Sequence, residues 1–292
     1  MIVIHTYQYS IKKVAKMIGA RLGAAVYEAS QLPPDGDYII VSTALDGDLK
    51  SVVGHAVNAR RCVAYLVSEG VPKVGKKRLR VINEYCQVVV PSRYVKSLLE
   101  EAGFYVSDVI PHAVEYKEVG LPAVYKFGFI GINLFRKGLD VAVKVASLVR
   151  APALIATTPY GSFDFKRWSL PPYLHVAHPP AGHEYYVYAQ VWKLLLPSRA
   201  EGFSLAPREY VASTGRCAVV TDLPVYGDEP GLLKCRVKDV YKVDDGNQVI
   251  EMREPDPEHC AKLVEEECAG DAESMRRLYS PALYEKFEEF FK

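Results

Sequence analysis

Short apolar runs alternate with amphipathic stretches along nearly the whole chain. Runs at 2–5, 25–28, 38–42, 62–66, 87–90 and 108–110 are rich in Val and Ile and mostly continuous. That is the pattern of strands covered on both faces of a parallel sheet. Helical periodicity between them predicts helices over 11–22, 48–57 and 93–102. At 115–122 the pattern breaks into the polar segment EYKEVGLP, whose Gly120 and Pro122 mark a linker. The same grammar then restarts, with strands at 126–130, 153–156, 193–196 and 218–221 and helices at 139–149, 185–189, 205–213, 257–268 and 281–291. A Pro- and aromatic-rich stretch, 159–180, interrupts it. Strands separated by helices predict an α/β fold of doubly wound sheets. Two in succession predict two Rossmann-like parallel-sheet domains facing across a cleft, with ligands beyond the carboxyl ends of the strands. The expected division is an N-terminal lobe 1–115, a linker 116–122, a second lobe 123–280 and a closing helix 281–292 that packs back on the first lobe.

Composition narrows the picture by exclusion. Of 292 residues, 49% are apolar and 24% charged, the ordinary globular range. A net charge of +1 gives no general attraction for nucleic acid or an anionic membrane. No apolar run approaches the roughly 20 residues of a membrane span, and the start MIVIHTYQYSIKK lacks the features of a signal peptide. The expectation is a cytoplasmic protein with at most peripheral membrane contact. Sparse Asn and Gln beside plentiful Lys, Glu, Val and Tyr lean towards a thermophile. The six cysteines are scattered and contain no Cys-x-x-Cys pair, so buried free thiols are expected. His175-x-x-His178 has no acidic or cysteine neighbours, so no metal is expected there; no cofactor is expected either. The basic run Lys73, Lys76, Lys77, Arg78, Arg80 reads as a solvated face, with a phosphorylated acceptor, lipid carrier or membrane surface as the alternative.

The most informative stretch is LLLPSRAEGFSLAPREYVASTGRCAVVTD, residues 194–222. A buried strand ends in Pro197-Ser198, a loop follows, and a helix begins near Leu205 and stops before Gly215. Backbone N–H groups at such a helix start favour negative charge. Glu201 lies in the loop and Glu209 one turn into the helix, so the two carboxylates can accept hydrogen bonds from a sugar and a ribose while the amides meet the phosphates between them.

The Glu-x7-Glu spacing within PS-x-x-EGF-x-L-x-P-x-E resembles the retaining GT-B glycosyltransferases of the large sucrose-synthase and mannosyltransferase-like family (glycosyltransferase family 4-like, group 1). Two further segments are similar to that family in its order: FGFIGINLFRKGLDVAVKVASL (127–148), and VVVPSRYVKSLLEEAGF with VIPHAVEY (88–116). The resemblance implies that Glu201 contacts the donor sugar, Glu209 the ribose, and Lys137 the donor diphosphate. Phe203, Ser204, Leu205 and Gly131 complete the donor side, and Arg136, adjacent to Lys137, is the candidate to substitute for a family arginine that this chain lacks. The chain departs from the family at three places. Ser204 stands where glycine is usual, Ile132 where an arginine normally follows the strand-end glycine, and the first 85 residues match poorly. In that lobe, Glu69 falls near a family histidine that touches the donor sugar, and Tyr7 lies in place of a Gly-rich loop.

The resemblance implies transfer of a sugar from a UDP- or GDP-linked donor, with retention, to an acceptor that is a saccharide, lipid carrier or protein. The departing phosphate takes the acceptor proton, so no protein nucleophile is needed. The alternatives are a sugar-nucleotide-binding protein without transfer, or another GT-B enzyme such as an epimerase or phosphorylase.

Overall fold

The computed structural model describes residues 1–120, 122–132, 134–158, 170–180 and 182–292. Leu121 of the expected linker, Asn133, Ala181 and much of the Pro- and aromatic-rich stretch (159–169) lie outside the described residues. The chain divides into two compact units. One comprises Met1–Ala113, Lys242–Ile250 and Tyr279–Lys292, the other Val114–Tyr241 and Glu251–Leu278. No described helix is long and apolar enough to cross a membrane.

The first unit runs β1 (Ile2–His5), α1 (Tyr9–Leu22), β2 (Ala25–Glu28), β3 (Asp37–Thr43), α2 (Asp46–Ala56), β4 (Arg61–Val67), β5 (Val71–Pro72), α3 (Lys76–Tyr85), β6 (Cys86–Val90), α4 (Arg93–Glu101) and β7 (Val106–Val109). Six strands pair in parallel in the order β2-β1-β3-β4-β6-β7. Ile4, Ile40, Ala64, Leu66, Val88 and Val90 of the sheet share one buried cluster with Leu49 and Val52 of α2, Ile82 of α3, and Val95 and Leu99 of α4. Burying each Val, Leu or Ile side chain of this cluster is worth about 1.5–3 kcal/mol, which explains the unbroken apolar runs. The spacing of Ile11, Val14, Ala15 and Ile18 turns one stripe of α1 inward. Ser92 starts α4 by accepting the Val95 amide at 3.1 Å. Residues Pro281–Phe291 form 3-10 turns that bury Tyr284 and Phe287, and the Tyr284 hydroxyl accepts the Ala113 amide at 2.9 Å. In the basic run, Lys73 pairs with Asp244, Arg78 with Asp46, and Arg80 with Glu84.

The second unit begins with β8 (Phe127–Gly131), a 3-10 turn (Phe135–Lys137), α5 (Leu139–Val149), β9 (Ala153–Thr157), β10 (Leu174–Ala177), α6 (Glu184–Gln190), β11 (Leu194–Leu196), α7 (Leu205–Thr214), β12 (Ala218–Thr221) and β13 (Leu232–Cys235). The strands pair in parallel in the order β10-β9-β8-β11-β12-β13. After β13 come β14 (Val237–Asp244), β15 (Gln248–Pro255), α8 (Pro257–Glu265) and α9 (Ala272–Leu278). Within the first unit, to which Lys242–Ile250 belongs, β15 pairs antiparallel with β5, Gln248 opposite Pro72 and Val249 opposite Val71. Asp256 caps α8, accepting the Glu258 and His259 amides ahead of Pro257.

The strand order of this sheet reverses between β8 and β11. At such a point the chain leaves neighbouring carboxyl ends in opposite directions, which is where open α/β sheets hold their ligands.

The free-thiol expectation is overturned. All six cysteines are paired, as Cys62–Cys86, Cys217–Cys268 and Cys235–Cys260, with Cα separations of 4.5, 6.1 and 5.1 Å. Linear spacing hides these pairs because the fold makes them. Cys62 and Cys86 are register partners on the adjacent strands β4 and β6, and Cys235 at the end of β13 meets Cys260 on α8. Denatured, unreduced protein is therefore expected to show no thiol to a colorimetric thiol reagent and to show all six after reduction. Free thiols before reduction would contradict the pairing.

Candidate functional site

Two chain turns meet at the β8–β11 switch point. β8 ends at Gly131, and the chain turns through Phe135–Lys137 into α5. The join is Gly138, at φ 72°, where an added Cβ would come within 2.0 Å of the Pro197 carbonyl oxygen. Only glycine permits both the left-handed backbone and this approach to the β11 loop. The Arg199 amide donates to the Arg136 carbonyl at 2.7 Å, and Arg136 Nη1 donates to the Ala200 carbonyl at 2.9 Å. The loops after β8 and β11 are thus one bonded assembly.

This assembly brings together three residues singled out by sequence. Lys137 Nζ donates to both oxygens of Glu201, at 2.7 and 2.9 Å, and Arg136 stands 3.9 Å from the same carboxylate. Glu201 is 5% exposed. Burial alone pushes its carboxyl up. The charges of Lys137 and Arg136, with hydrogen bonds from Lys137 and Ser198, outweigh burial and hold it below its ordinary value. The result is a desolvated carboxylate flanked by two cations.

α7 starts beside this group. Its residues 207–213 are all buried, so it has no solvated face and its charges must be partnered inside. Glu209 is buried and accepts from the Tyr188 hydroxyl at 3.4 Å. Phe203 is buried with its ring 4.1 Å from the Arg208 guanidinium carbon. Leu205 is the first helical residue. The N-cap, Ser204, makes no side-chain capping bond, and the first turn carries no acidic residue, leaving the helix start suited to an anion. Tyr7 and Glu69 belong to the first unit, following β1 and β4, with Tyr7 69% exposed and Glu69 partly buried. His178 Nδ1 meets the Thr157 carbonyl at 2.8 Å and His175 packs edge-on to Tyr125.

Ser204 sits at φ 64°, in the left-handed region that costs a residue with a Cβ about 1 kcal/mol or more. This gives a physical reason for glycine at that position in the family that the chain resembles. Ser204→Gly is expected to raise stability by about 0.5–1 kcal/mol in urea unfolding. A loss of stability would mean that the serine hydroxyl does more than the backbone costs.

Sequence reasoning missed the residues that hold this framework. Arg199, 2% exposed, donates two bonds to Asp140 (2.9 and 2.8 Å), two to Glu254 (2.6 and 2.8 Å) and one to the Phe135 carbonyl (2.7 Å). Its guanidinium carbon lies 3.8 Å from the Phe135 ring centroid. Arg208, 1% exposed, forms a two-bond fork with Glu229 and also donates to the Phe203 and Ser204 carbonyls. The signal available was a charged residue inside an otherwise apolar or buried segment.

Neither a protein-family model nor a curated protein sequence matches this chain. Solved structures do match. HepE from Anabaena, crystallised with UDP and glucose, aligns over 100% of this chain and 99% of its own, with a TM-score of 0.67 and 13% identity. Sucrose-phosphate synthase from Thermosynechococcus elongatus aligns over 100% and 98%, with a TM-score of 0.62 and 14% identity. TarM aligns over 87% of this chain at a TM-score of 0.58 and 13% identity, and the chain spans 55% of its length. Such identities carry the fold and nothing finer: the chain has the two-sheet α/β fold of the GT-B glycosyltransferases.

Proposed function

We propose that the protein is a retaining glycosyltransferase that takes its sugar from a nucleotide-diphosphate donor held at the β8–β11 switch point. The observation that carries this reading is the Lys137–Glu201 pair, with Arg136 beside it, next to the uncapped start of α7. Cations and a helix start on one side suit a diphosphate, and a buried acceptor-only carboxylate suits the hydroxyls of a sugar. In this reading the diphosphate lies across Lys137, Arg136 and the amides at Ser204-Leu205. Glu201 holds the sugar and Glu209 the ribose. As the donor bond breaks, charge grows on the leaving diphosphate and the preset cations stabilise it without reorganising. The leaving phosphate accepts the acceptor's proton on the same face, which gives retention without a protein nucleophile.

HepE was crystallised with UDP and glucose, which makes a uridine donor the first to test. A thermal-shift panel of UDP-, GDP- and ADP-sugars tests the donor class, because a ligand that binds only the folded state raises the melting temperature by mass action. At about 100 times its dissociation constant the right donor adds roughly 2.7 kcal/mol. A flat panel would defeat the reading.

Ile132 favours a second reading, a sugar-nucleotide-binding protein without transfer. It is 47% exposed just after β8 and brings no charge to the diphosphate. Donor binding with neither transfer nor slow donor hydrolysis would support that reading. On location, the thermophile-leaning composition and the three disulfides agree, since intracellular proteins of hyperthermophiles are a disulfide-rich exception.

A further inference from the structure

The loop 222–231, between β12 and β13, carries Tyr226, which motif reading does not single out. One side chain fastens this loop to the start of α7. Arg208 donates to both Glu229 oxygens, at 2.7 and 2.5 Å, and to the Val225 carbonyl at 3.2 Å. Its guanidinium carbon lies 5.2 Å from the Tyr226 ring centroid and 4.1 Å from that of Phe203. Tyr226 is thereby held near Ser204 and within the field of Glu201.

Tyr226 is 4% exposed, and its hydroxyl meets no hydrogen-bond partner among the described residues. The Ser204 hydroxyl is near enough to bias the phenol's ionisation, yet it does not meet hydrogen-bond geometry with it. Buried tyrosine hydroxyls ordinarily find a partner, and an unmade bond there is costly. Burial, and then the Glu201 charge, push the phenol upward, so it remains a neutral O–H at physiological pH. A neutral donor near an acceptor-only carboxylate is complementary to a polyol. The carboxylate takes one hydroxyl proton, and the phenol gives its own to a neighbouring oxygen.

We propose that Tyr226 is a sugar-selecting residue whose phenol donates to a ring-hydroxyl oxygen of the transferred sugar, adjacent to the hydroxyl held by Glu201. The proposal rests on the nucleotide-sugar reading of this site. It accounts for a buried hydroxyl that has no hydrogen-bond partner among the described residues. A structural tyrosine predicts that removing the hydroxyl leaves ligand binding untouched.

The test is calorimetric titration of wild type and Tyr226→Phe with UDP, UDP-glucose and UDP-galactose, and with GDP and GDP-mannose. Tyr226→Phe is expected to melt no lower than wild type and to bind the nucleoside diphosphate unchanged. It should lose about tenfold in affinity for the preferred sugar nucleotide, the effect of one ligand hydrogen bond. Monodeoxy analogues of that sugar give a second readout. One position should cost wild type about tenfold and cost the variant nothing further. Unchanged sugar-nucleotide affinity in Tyr226→Phe, or equal losses for the diphosphate and the sugar nucleotide, would overturn the role of Tyr226 alone. Folded wild type that binds none of the probes would overturn the underlying site reading and this proposal with it.

Discussion

Lys137→Met is expected to lower donor turnover roughly 100- to 1,000-fold, the usual effect of removing one preset group from a site of developing charge. Methionine keeps the unbranched apolar stem, so the change is largely the loss of the ammonium. That ammonium contacts both oxygens of Glu201 and is the foremost charge holding this carboxyl below its ordinary value. The same substitution has a signature in stability. A carboxyl whose folded pKa is lowered contributes stability that is fully present above its unfolded pKa of about 4.3 and is lost as pH falls through the folded value. Without Lys137, burial of Glu201 is opposed mainly by Arg136, at 3.9 Å. The variant should therefore be less stable at pH 7 and lose less than wild type on acidification. Urea unfolding of both proteins along a series from pH 7 to pH 3 reads this directly, and parallel pH profiles would contradict it.

Arg208→Met is expected to cost about 3–5 kcal/mol, because it leaves a buried carboxylate without its cation. The Glu229 side chain is only 7% exposed, and Arg208 supplies both of its short contacts. The carbonyls of Phe203, Ser204 and Val225 lose a donor at the same time. Replacing both partners, as Arg208→Met with Glu229→Leu, removes the orphaned charge and should recover most of the loss. Unfolding midpoints of the three variants measure this. A double variant as unstable as the single one would show that the arginine acts through its carbonyl contacts instead.

The fold was legible where burial is two-sided. β1 and β12, buried along their whole length, have the bounds that their apolar runs predict. It was not legible where one face is wet. β14 reads VKDVYKVD and alternates between half-buried and exposed positions, and α3 opens with Lys76, Lys77 and Arg78. Local polarity there resembles loop, and pairing with distant segments decides the outcome. β10, β13, β15 and α9 are likewise absent from the elements that the sequence pattern predicts. Within the site, Lys137, Arg136 and Glu201 could be named from motif spacing. Arg199 and Arg208 could not, because their partners Asp140, Glu254 and Glu229 lie far away or in an unremarkable loop, and Tyr226 lies in that same loop. The cysteine pairs were hidden likewise, by strand register that spacing does not show.

The central claim is that Glu201 receives the sugar of a nucleotide sugar bound at the β8–β11 switch point. Calorimetry with UDP and UDP-glucose, GDP and GDP-mannose alongside, on wild type and Glu201→Gln tests it most directly. Wild type should bind a nucleoside diphosphate and its sugar conjugate. Glu201→Gln should keep the diphosphate and weaken the conjugate about tenfold, since the amide loses the charge-assisted bond to a sugar hydroxyl. Failure of wild type to bind any of the four, or an equal loss for diphosphate and conjugate in the variant, would contradict it.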